Sequence, residues 1–404
     1  MENITRRGFV AAGAAMTAMA ATAGVAVAEE AEQAWDYETD VVVCGCGTSG
    51  TAAAIEACDA GAEVLVVEKK SWLGGQMRRC GGGVAAAGSQ VQKALGIEDD
   101  TADAFYDYWM AVSGGIVDPE LVRVVCDESA GIIDWIIDDL GGQPLDEWHF
   151  CGGEMGIEES VMTDGLNVGT DPQVFRDHGM EPVARCCWFT PNRDDVLFDD
   201  PSAFLEPTNP GGTGLWVPFE NALAARDIDF LMETSFTDLI CAEGTNEVIG
   251  VVAQDAEGNE IRIKARRGVV LTNGNFAGNP EMLKNFTGVD FEENAYGGMA
   301  LDIAGDNDGS STRAVQALGG ALMFPFTHGT GEIVYSFNCG GVKIDTDAHA
   351  IDVRGNIIPN LFVASIAAGG VIGEVYPCCG ASITRNLVFG RIAGRNAAAM
   401  EPRA

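Results

Sequence analysis

The sequence is short of positive charge. Against 60 aspartate and glutamate residues it has 24 lysine and arginine residues and 4 histidines, which gives a formal net charge of −36 at pH 7. A chain with this charge repels the phosphates of nucleic acids and of anionic membranes, so we predict neither as a partner. Because the acidic residues are scattered, they are most simply a solvated surface, although such a surface would also attract a basic protein.

The cysteines lack the spacing of the common metal and redox motifs. None of the 12 cysteines forms a C-x-x-C pair, which excludes zinc ribbons, thioredoxin-like sites and C-x-x-C-H haem attachment. We interpret them as buried thiols, with adjacent pairs at Cys186-Cys187 and Cys378-Cys379. The alternative is a Cys–His metal site at His149 and Cys151, but this spacing matches no common site, and we predict no metal.

Long hydrophobic runs are missing after the N-terminal region. None reaches the roughly 20 uncharged residues that span a bilayer, so we predict no transmembrane segment in the mature chain. Residues 5–10, Thr-Arg-Arg-Gly-Phe-Val, form a twin-arginine pattern, an alanine-rich apolar run follows, and Ala26-Val27-Ala28 fits a cleavage site. Residues 1–28 are therefore predicted to be a twin-arginine signal peptide, which would export the protein to the periplasm or the cell surface. A Sec signal and an uncleaved anchor are the alternatives.

Glycine, by contrast, is abundant, and three of the 52 glycines organise the chain. The run Asp40 to Gly50, DVVVCGCGTSG, predicts a buried strand followed by a G-x-G-x-x-G turn. A helix over residues 51–60 and a strand over 63–67 then lead to an acid, Glu68. In this order the glycines allow a tight turn and close approach to a pyrophosphate, the helix N-terminus favours phosphate, and the acid can bind a ribose. We predict a dinucleotide site, with an ordinary glycine-rich turn as the alternative, at Gly45, Gly47, Thr48, Ser49, Gly50 and Glu68.

Two more glycine clusters follow this acid: the first is Gly74-Gly75 and the second is Gly81-Gly82-Gly83. We expect their backbone to lie against the same cofactor because the loop leaves from the strand that carries Glu68, and a surface loop is the alternative. A later strand, residues 268–271, again enters a glycine-containing turn. The further candidate cofactor contacts are Lys69, Gly74, Gly75, Gln76, Met77, Gly81, Gly82, Gly83, Phe236, Asn273 and Gly274.

The remaining pattern predicts mixed helices and strands. Helices are predicted over residues 101–110, 119–140, 219–225, 310–318 and 382–399. Strands are predicted at 230–231, 235–241, 248–254, 261–265, 268–271 and 360–364, with a hairpin turn at 256–259. Residues 141–214 are irregular in composition, and we expect them to pack over the cofactor region or a substrate entrance.

Together these motifs resemble the flavoprotein subunits of the fumarate reductase and succinate dehydrogenase family. GCGTSG with Glu68, LGGQM followed by CGGGV, RRGVVLTNGNF, NLFVAS and LVFGRIAGRNAA come in the family's order. The resemblance implies FAD as cofactor and an α/β fold, a Rossmann-like FAD-binding domain with a small inserted α+β cap domain. The implied ranges are 36–277 for the first part of the FAD-binding domain, 278–335 for the cap and 336–404 for the second part.

The segment before the last helix is similar to the 3-oxosteroid dehydrogenase and reductase branch. It reads GEVYPCCGASI and has no arginine before Arg385, whereas fumarate reductases carry a catalytic arginine there. The resemblance implies that the Tyr376 phenol and the Gly380 amide bind a substrate ketone oxygen. It also implies that Ser382 and Ile383 open the final helix beneath the flavin. Ser365 stands where the family often has residues that hold the flavin's sugar chain.

We therefore predict an exported FAD-dependent oxidoreductase that transfers a hydride between flavin N5 and an activated C–C or C=C bond next to a carbonyl, as in a 3-oxosteroid enone. Tyr376 and Gly380 are its predicted oxygen donors, and Tyr296, Tyr335 and His328 are candidates for the proton. One alternative is a reductase of a small unsaturated carboxylate that uses Arg313 or Arg385. Another is a catalytically degenerate flavin-binding electron carrier. Without a haem motif, the small-molecule substrate would be served by a separate electron-transfer partner, such as a cytochrome or a quinone-linked protein.

Overall fold

A computed structural model describes residues 34–142, 144–150, 172–181, 183–189, 210–276, 278–287, 306–323, 340–373 and 377–403. The strands within these ranges are β1 Tyr37–Cys44, β2 Val64–Val67, β3 Gly83–Ala85, β4 Trp148–Phe150, β5 Cys186–Phe189, β6 Ile228–Leu231, β7 Ser235–Cys241, β8 Val248–Gln254, β9 Glu260–Leu271, β10 Leu322–Met323, β11 Gly341–Val342, β12 His349–Ile351 and β13 Ile357–Val363. The helices are α1 Thr48–Asp59, α2 Gln90–Ala94, α3 Ala102–Val112, α4 Pro119–Asp134, α5 Pro172–Asp177, α6 Pro210–Ala224, α7 Pro280–Thr287, α8 Ser310–Ala317 and α9 Ala381–Ala399.

The core is an eight-stranded sheet whose main path runs β12-β13-β9-β1-β2-β6. β1 pairs in parallel with β2 and β9, while β6 and β13 extend the parallel part on either side. The side chains of Val41, Val42 and Val43 in β1 are completely buried. A continuous apolar strand of this kind is typical of a parallel sheet covered on both faces. The α/β, Rossmann-like class predicted from the sequence is confirmed.

Helices α1 and α9 pack closely against each other beside this sheet, at two glycines of α9. A Cβ atom added at Gly390 or Gly394 would collide with the backbone of Ser49 or Ala53 in α1. The glycines therefore let the two helices approach until their backbones touch. This contact fixes the start of the last helix relative to the β1–α1 turn.

Two predicted elements differ most from the structure. β9 is one continuous 12-residue strand instead of two, because Arg266 and Arg267 remain in the strand while their guanidinium groups reach Asp40. Helix α6 begins at Pro210, nine residues before the predicted start, despite its glycines. One of these, Gly212, lies so close to the carbonyl groups of Met77 and Cys80 that a side chain there would collide with them.

The irregular segment 141–214 contributes a small second sheet in its described parts. β5 pairs antiparallel with both β3 and β4, so this sheet attaches to the second glycine cluster. The described parts of the predicted cap, 278–287 and 306–323, contain α7, α8 and β10, and the boundaries of the cap stay a prediction. Within the described ranges, no helix has both the length and the hydropathy to cross a membrane. The predicted signal peptide lies outside them.

Candidate functional site

A cavity opens where β1, β2 and β9 end, beside the start of α1. Carboxyl ends of parallel strands and a helix N-terminus are the usual position of a bound nucleotide in an open α/β sheet. The cavity is lined by Gly45, Gly47, Thr48, Val67, Glu68, Lys69, Lys70, Trp72, Gly75, Gln76, Arg79, Thr234, Ser235, Phe236, Thr272, Asn273, Gly274, Asp306, Asn307, Asp308, Ser310, Ser365, Ile366 and Asn386.

The carboxylate of Glu68 is held in place by the main chain on both sides. The Cys46 N–H donates to Oε2 at 2.7 Å, and the Lys70 N–H donates to Oε1 at 2.8 Å. Glu68 is 8% exposed, and burial raises its pKa, although the two backbone hydrogen bonds act in the opposite direction. The main chain of the strand and of the glycine turn therefore orients this acid towards the cavity.

Two glycines of the G-x-G-x-x-G turn have different structural roles. A Cβ atom added at Gly50 would overlap with the carbonyl oxygen of Gly45, so Gly50 is required for the turn to close. A Cβ atom added at Gly47 would meet no described atom within 4 Å, although Gly47 lines the cavity. The missing side chain of Gly47 therefore leaves space at the N-terminus of α1, where a phosphate would bind.

Five charged residues complete one wall, namely Lys69, Lys70, Arg79, Asp306 and Asp308, and of these only Lys69 was predicted from the sequence to contact the cofactor. Lys70 pairs with Asp306, and Lys69 Nζ lies 3.4 Å from a carboxylate oxygen of Asp308. The Arg79 guanidinium is buried, lies 3.5 Å from Asp306 and is stacked 5.3 Å from the ring of Trp72.

The available sequence signal for this wall was the run of acids just before helix α8. That run lies within the predicted cap, residues 278–335. Lys69, Lys70 and Arg79 each contact this run across more than 220 positions of the sequence. Contacts over such a separation cannot be predicted from a local sequence pattern.

The structure brings eleven of the predicted cofactor residues together in this cavity. They are Gly45, Gly47, Thr48, Glu68, Lys69, Gly75, Gln76, Phe236, Asn273, Gly274 and Ser365. The other predicted residues lie outside the cavity lining, and their contact with a cofactor stays a prediction: Ser49, Gly50, Gly74, Met77, Gly81, Gly82, Gly83, Ser382 and Ile383. Of these, Ser49 donates its hydroxyl to the Asn386 carbonyl at 2.8 Å, and Met77 is completely buried.

A second arrangement joins the Gly380 turn to the second glycine cluster. A Cβ atom at Gly380 would lie 2.6 Å from the Ala85 nitrogen and 2.9 Å from the Gly83 carbonyl oxygen. The Thr384 hydroxyl donates to the Ala85 carbonyl at 2.7 Å. The first turn of α9 is thereby attached to β3, and the predicted substrate-binding amide of Gly380 lies against the predicted cofactor-binding residue Gly83.

Helix α3 fixes the segment that leads into this turn. The Tyr108 hydroxyl donates to the Pro377 carbonyl at 2.8 Å, and the Trp109 indole N–H donates to the Val371 carbonyl at 2.9 Å. Both aromatic residues are buried. The predicted catalytic residues Tyr376, Tyr296, Tyr335 and His328 lie outside the described residues, so their positions stay predictions.

The two arginines considered for binding a carboxylate both have other contacts. Arg385 is 2% exposed, and its guanidinium donates to the carbonyls of Ser365 at 2.6 Å and Ala368 at 3.0 Å. Arg313 is exposed and donates to the Asp308 carbonyl at 2.8 Å. In the structure, therefore, Arg385 holds the turn at residues 365–368 that follows β13, and Arg313 holds the loop before α8.

One group of side chains in the described residues has the composition of a metal site. Asp345, Asp347 and His349 bring ligand atoms within 4.8 Å of one another. The Asp345 carboxylate already accepts the backbone N–H groups of Asp347 and His349 and lies 3.0 Å from the His349 ring nitrogen. These contacts are those of a tight turn between strands. The predicted absence of a metal is not tested by this structure, and His149 and Cys151 have no described side chains.

The family described as FAD binding domain matches residues 40–335 of this chain. Among curated proteins, digoxin reductase of Eggerthella lenta is 41% identical over 144 residues, which cover 34% of this chain and 25% of that protein. A fumarate reductase (cytochrome) of Shewanella frigidimarina is 25% identical over 446 aligned positions, which cover 89% of this chain and 77% of that protein.

A solved structure shares the fold over almost its whole length. It is the 3-ketosteroid-Δ4-(5α)-dehydrogenase of Rhodococcus jostii in complex with 4-androstene-3,17-dione. The TM-score is 0.72 at 22% identity, with 91% of this chain and 98% of that chain covered. At this identity the likeness establishes the fold alone.

The residues of the cavity fit FAD, as the match requires. Glu68 is placed to accept ribose hydroxyl groups, and the space at Gly47 leaves room for a pyrophosphate at the start of α1. Three cationic side chains, Lys69, Lys70 and Arg79, line the cavity. The Nε atom of Arg79 is buried without a hydrogen-bond partner in the described structure, and an anionic ligand would satisfy it. FAD is therefore the cofactor of this cavity.

Proposed function

The chain belongs to the FAD binding domain family, and from this membership we propose an FAD-dependent oxidoreductase that acts on a C–C or C=C bond next to a ketone, in a substrate of the 3-oxosteroid type. The family supports the cofactor and the oxidoreductase class. The ketone is our own inference. It depends on the turn before helix α9, where the sequence reads Tyr376-Pro377 and the backbone of Gly380 lies against Gly83.

The observation that carries the proposal is the position of the Gly380 turn. The turn is packed so closely on β3 that a Cβ atom added at Gly380 would lie within 3 Å of Gly83 and Ala85 atoms, and α9 begins immediately after it. A rigid main-chain N–H at the start of a helix is a suitable donor for an oxygen that becomes negatively charged. Two buried aromatic residues of α3 hold the preceding segment in place. The turn can thus present a fixed donor to a substrate oxygen.

The contacts of the arginines favour a ketone over a carboxylate. A fumarate-like or urocanate-like substrate needs cationic groups to bind its carboxylates. Arg385 is buried and donates to two main-chain carbonyls, and Arg313 lies on the exposed surface. Using Arg385 as a carboxylate clamp would first require it to release the Ser365 and Ala368 carbonyls. A ketone needs only neutral donors, which tyrosine and a backbone amide provide.

The proposed mechanism assigns one task to each group. When bound, FAD supplies the hydride-transfer chemistry. The Tyr376 phenol and the Gly380 N–H donate hydrogen bonds to the ketone oxygen and stabilise it as it gains enolate character. Tyr296, Tyr335 or His328 handles the proton at the α-carbon. The sequence relatives named digoxin reductase and 3-oxosteroid 1-dehydrogenase support a substrate with a steroid-like skeleton.

A substrate panel tests this proposal. Purified holoprotein, with reduced viologen as electron donor, is given 4-androstene-3,17-dione, digoxin, fumarate and urocanate in parallel. We expect turnover with the steroid enone and a loss of about a hundredfold in Tyr376→Phe, as for removal of one oxyanion donor. Turnover of fumarate or urocanate alone would refute the ketone assignment, and an unchanged rate in Tyr376→Phe would refute the role of that phenol.

We further propose that the protein is exported and takes electrons from a separate partner. Arg6 and Arg7 motivate the first proposal, because the twin-arginine route carries folded proteins with their cofactor in place. The net charge of −36 favours a partner with a basic surface. Arg6→Lys/Arg7→Lys should leave the protein inside the cell in fractionation experiments. A variant that is exported as before would exclude this route.

A further inference from the structure

Two pairs of adjacent cysteines, far apart in the sequence, meet through one member of each. Cys186-Cys187 opens strand β5, and Cys378-Cys379 immediately precedes the Gly380 turn. A Cβ atom added at Gly83 would lie 2.5 Å from the sulfur of Cys186 and 3.4 Å from the sulfur of Cys379. Because glycine has no Cβ, both sulfurs border the same small space, and no side chain of Gly83 separates them.

The other member of each pair has a different environment. Successive residues of a strand point to opposite faces of the sheet, so Cys187 faces away from Cys186. Its sulfur lies 3.7 Å from both the Ser89 hydroxyl and the Arg185 carbonyl, and burial raises its pKa to about 12. Cys378 is buried in the main core, whereas Cys379 is partly exposed and packs against the small cluster of Cys186 and Trp188.

We propose that Cys186 and Cys379 form a reversible disulfide, a redox-sensitive bond that ties the Gly380 turn to strand β5. The contact over Gly83 carries this inference, and the difference in exposure gives it a direction. Cys379 is the accessible thiol that an outside reagent reaches first, and the buried Cys186 is the thiol that resolves the intermediate. The inference does not depend on the substrate proposed above, since it concerns two thiols and a small disulfide.

The reaction is thiol–disulfide exchange with a low-molecular-weight disulfide. The Cys379 sulfur attacks one sulfur of that disulfide, forms a mixed disulfide and releases one small thiol. The Cys186 sulfur then attacks the Cys379 sulfur, closes the internal bond and releases the second small thiol. The two cysteine sulfurs are oxidised by two electrons in total, the outside disulfide is reduced to two thiols, and the two cysteine protons end on those thiols.

Such a bond would restrict the motion of the Gly380 turn relative to strands β3 and β5. The Gly380 backbone already packs against Gly83 and Ala85, but these contacts are noncovalent. A covalent bond from the preceding residue to β5 would hold the turn against the small sheet. The redox state of the surroundings would then set how freely the predicted oxygen donor at Gly380 can move.

The test equilibrates the full-length holoprotein with buffers that contain reduced glutathione and glutathione disulfide in graded ratios. Remaining thiols are alkylated, and the products are analysed by intact mass and peptide mapping. Wild-type protein should lose two alkylation sites in one joint transition. Adding dithiothreitol should restore both sites.

Variants assign the bond to individual sulfurs. The double variant Cys187→Ser/Cys378→Ser, in which the neighbouring thiols are absent, should keep the cross-link. Cys186→Ser should stop at a glutathione adduct on Cys379. The proposal is overturned if both sites still alkylate in fully oxidising buffer, or if the same peptides remain cross-linked in Cys186→Ser/Cys379→Ser.

Discussion

The dinucleotide end of the molecule and the turn before its last helix are built in opposite ways. The dinucleotide turn from Gly45 to Glu68 is one continuous stretch, and its contacts are made by the main chain, such as the Cys46 N–H on the Glu68 carboxylate. The Gly380 turn is assembled from distant parts of the chain, since Tyr108 and Pro377 are 269 positions apart. The dinucleotide turn thus follows from local backbone geometry, whereas the Gly380 turn, where we propose that a substrate oxygen binds, depends on long-range packing.

The largest expected effect is on folding at the dinucleotide end. Gly50→Ala places a methyl group on the carbonyl oxygen of Gly45 and 2.6 Å from the Thr272 hydroxyl. Overpacking against backbone should destabilise the protein by on the order of 3 kcal/mol. Chemical denaturation of the protein freed of flavin measures this. A variant as stable as the wild type would show that the turn is not as closely packed as described.

Gly47→Ala should separate cofactor binding from folding in the same turn. Gly47 has φ −81° and ψ −157°, which alanine adopts readily, and the added methyl meets no described atom. We expect stability without flavin within about 0.5 kcal/mol of wild type. The Kd for FAD should rise about a hundredfold, or about 2.7 kcal/mol. Quenching of flavin fluorescence during titration gives the Kd, and an unchanged value would place the pyrophosphate elsewhere.

At the opposite end, Tyr108→Phe should affect turnover more than cofactor binding. The variant loses the hydrogen bond to the Pro377 carbonyl but keeps the ring that stacks 4.0 Å from Phe175. One buried hydrogen bond contributes about 1 kcal/mol to stability, and a looser turn should lower kcat about tenfold. Tyr106→Phe, on the same helix, is the matched control. Equal kcat in the two variants would remove Tyr108 from this role.

The smallest effect should appear at the Asp345–His349 turn, which is not part of the cavity lining. The hydrogen bond to Asp345 raises the pKa of His349, so its contribution to stability is complete below the unfolded pKa of about 6.5. This contribution is lost as the pH rises through the higher folded value. Burial by itself would raise the pKa of Asp345. The hydrogen bonds from His349 act in the opposite direction, and the pKa of that carboxyl is lowered.

His349→Gln should therefore cost less than about 1 kcal/mol near pH 5 and nothing at high pH. Denaturation curves across this range measure the difference. A pH-independent difference would show that the ion pair is not its source. FAD affinity should be the same as in wild type at every pH.

The sequence predicted the parts of the molecule that depend on local signals better than the parts that depend on long-range contacts. The strand, turn, helix and acid from Val41 to Glu68 were predicted because each is a local signal and they come in a fixed order. Arg79 and Asp306 were missed as cavity residues, since they meet across 227 positions and each resembles an ordinary surface charge. Strands β4 and β5 were missed because their partners lie far away and their surroundings are rich in glycine and proline.

The substrate itself is tested most directly by a single turnover of the protein's own flavin. Holoprotein is reduced without oxygen, mixed with 4-androstene-3,17-dione or with fumarate, and followed by the visible absorbance of oxidised flavin. We predict rapid reoxidation by the steroid enone and none above background by fumarate. Reoxidation by fumarate with no response to the enone would contradict it.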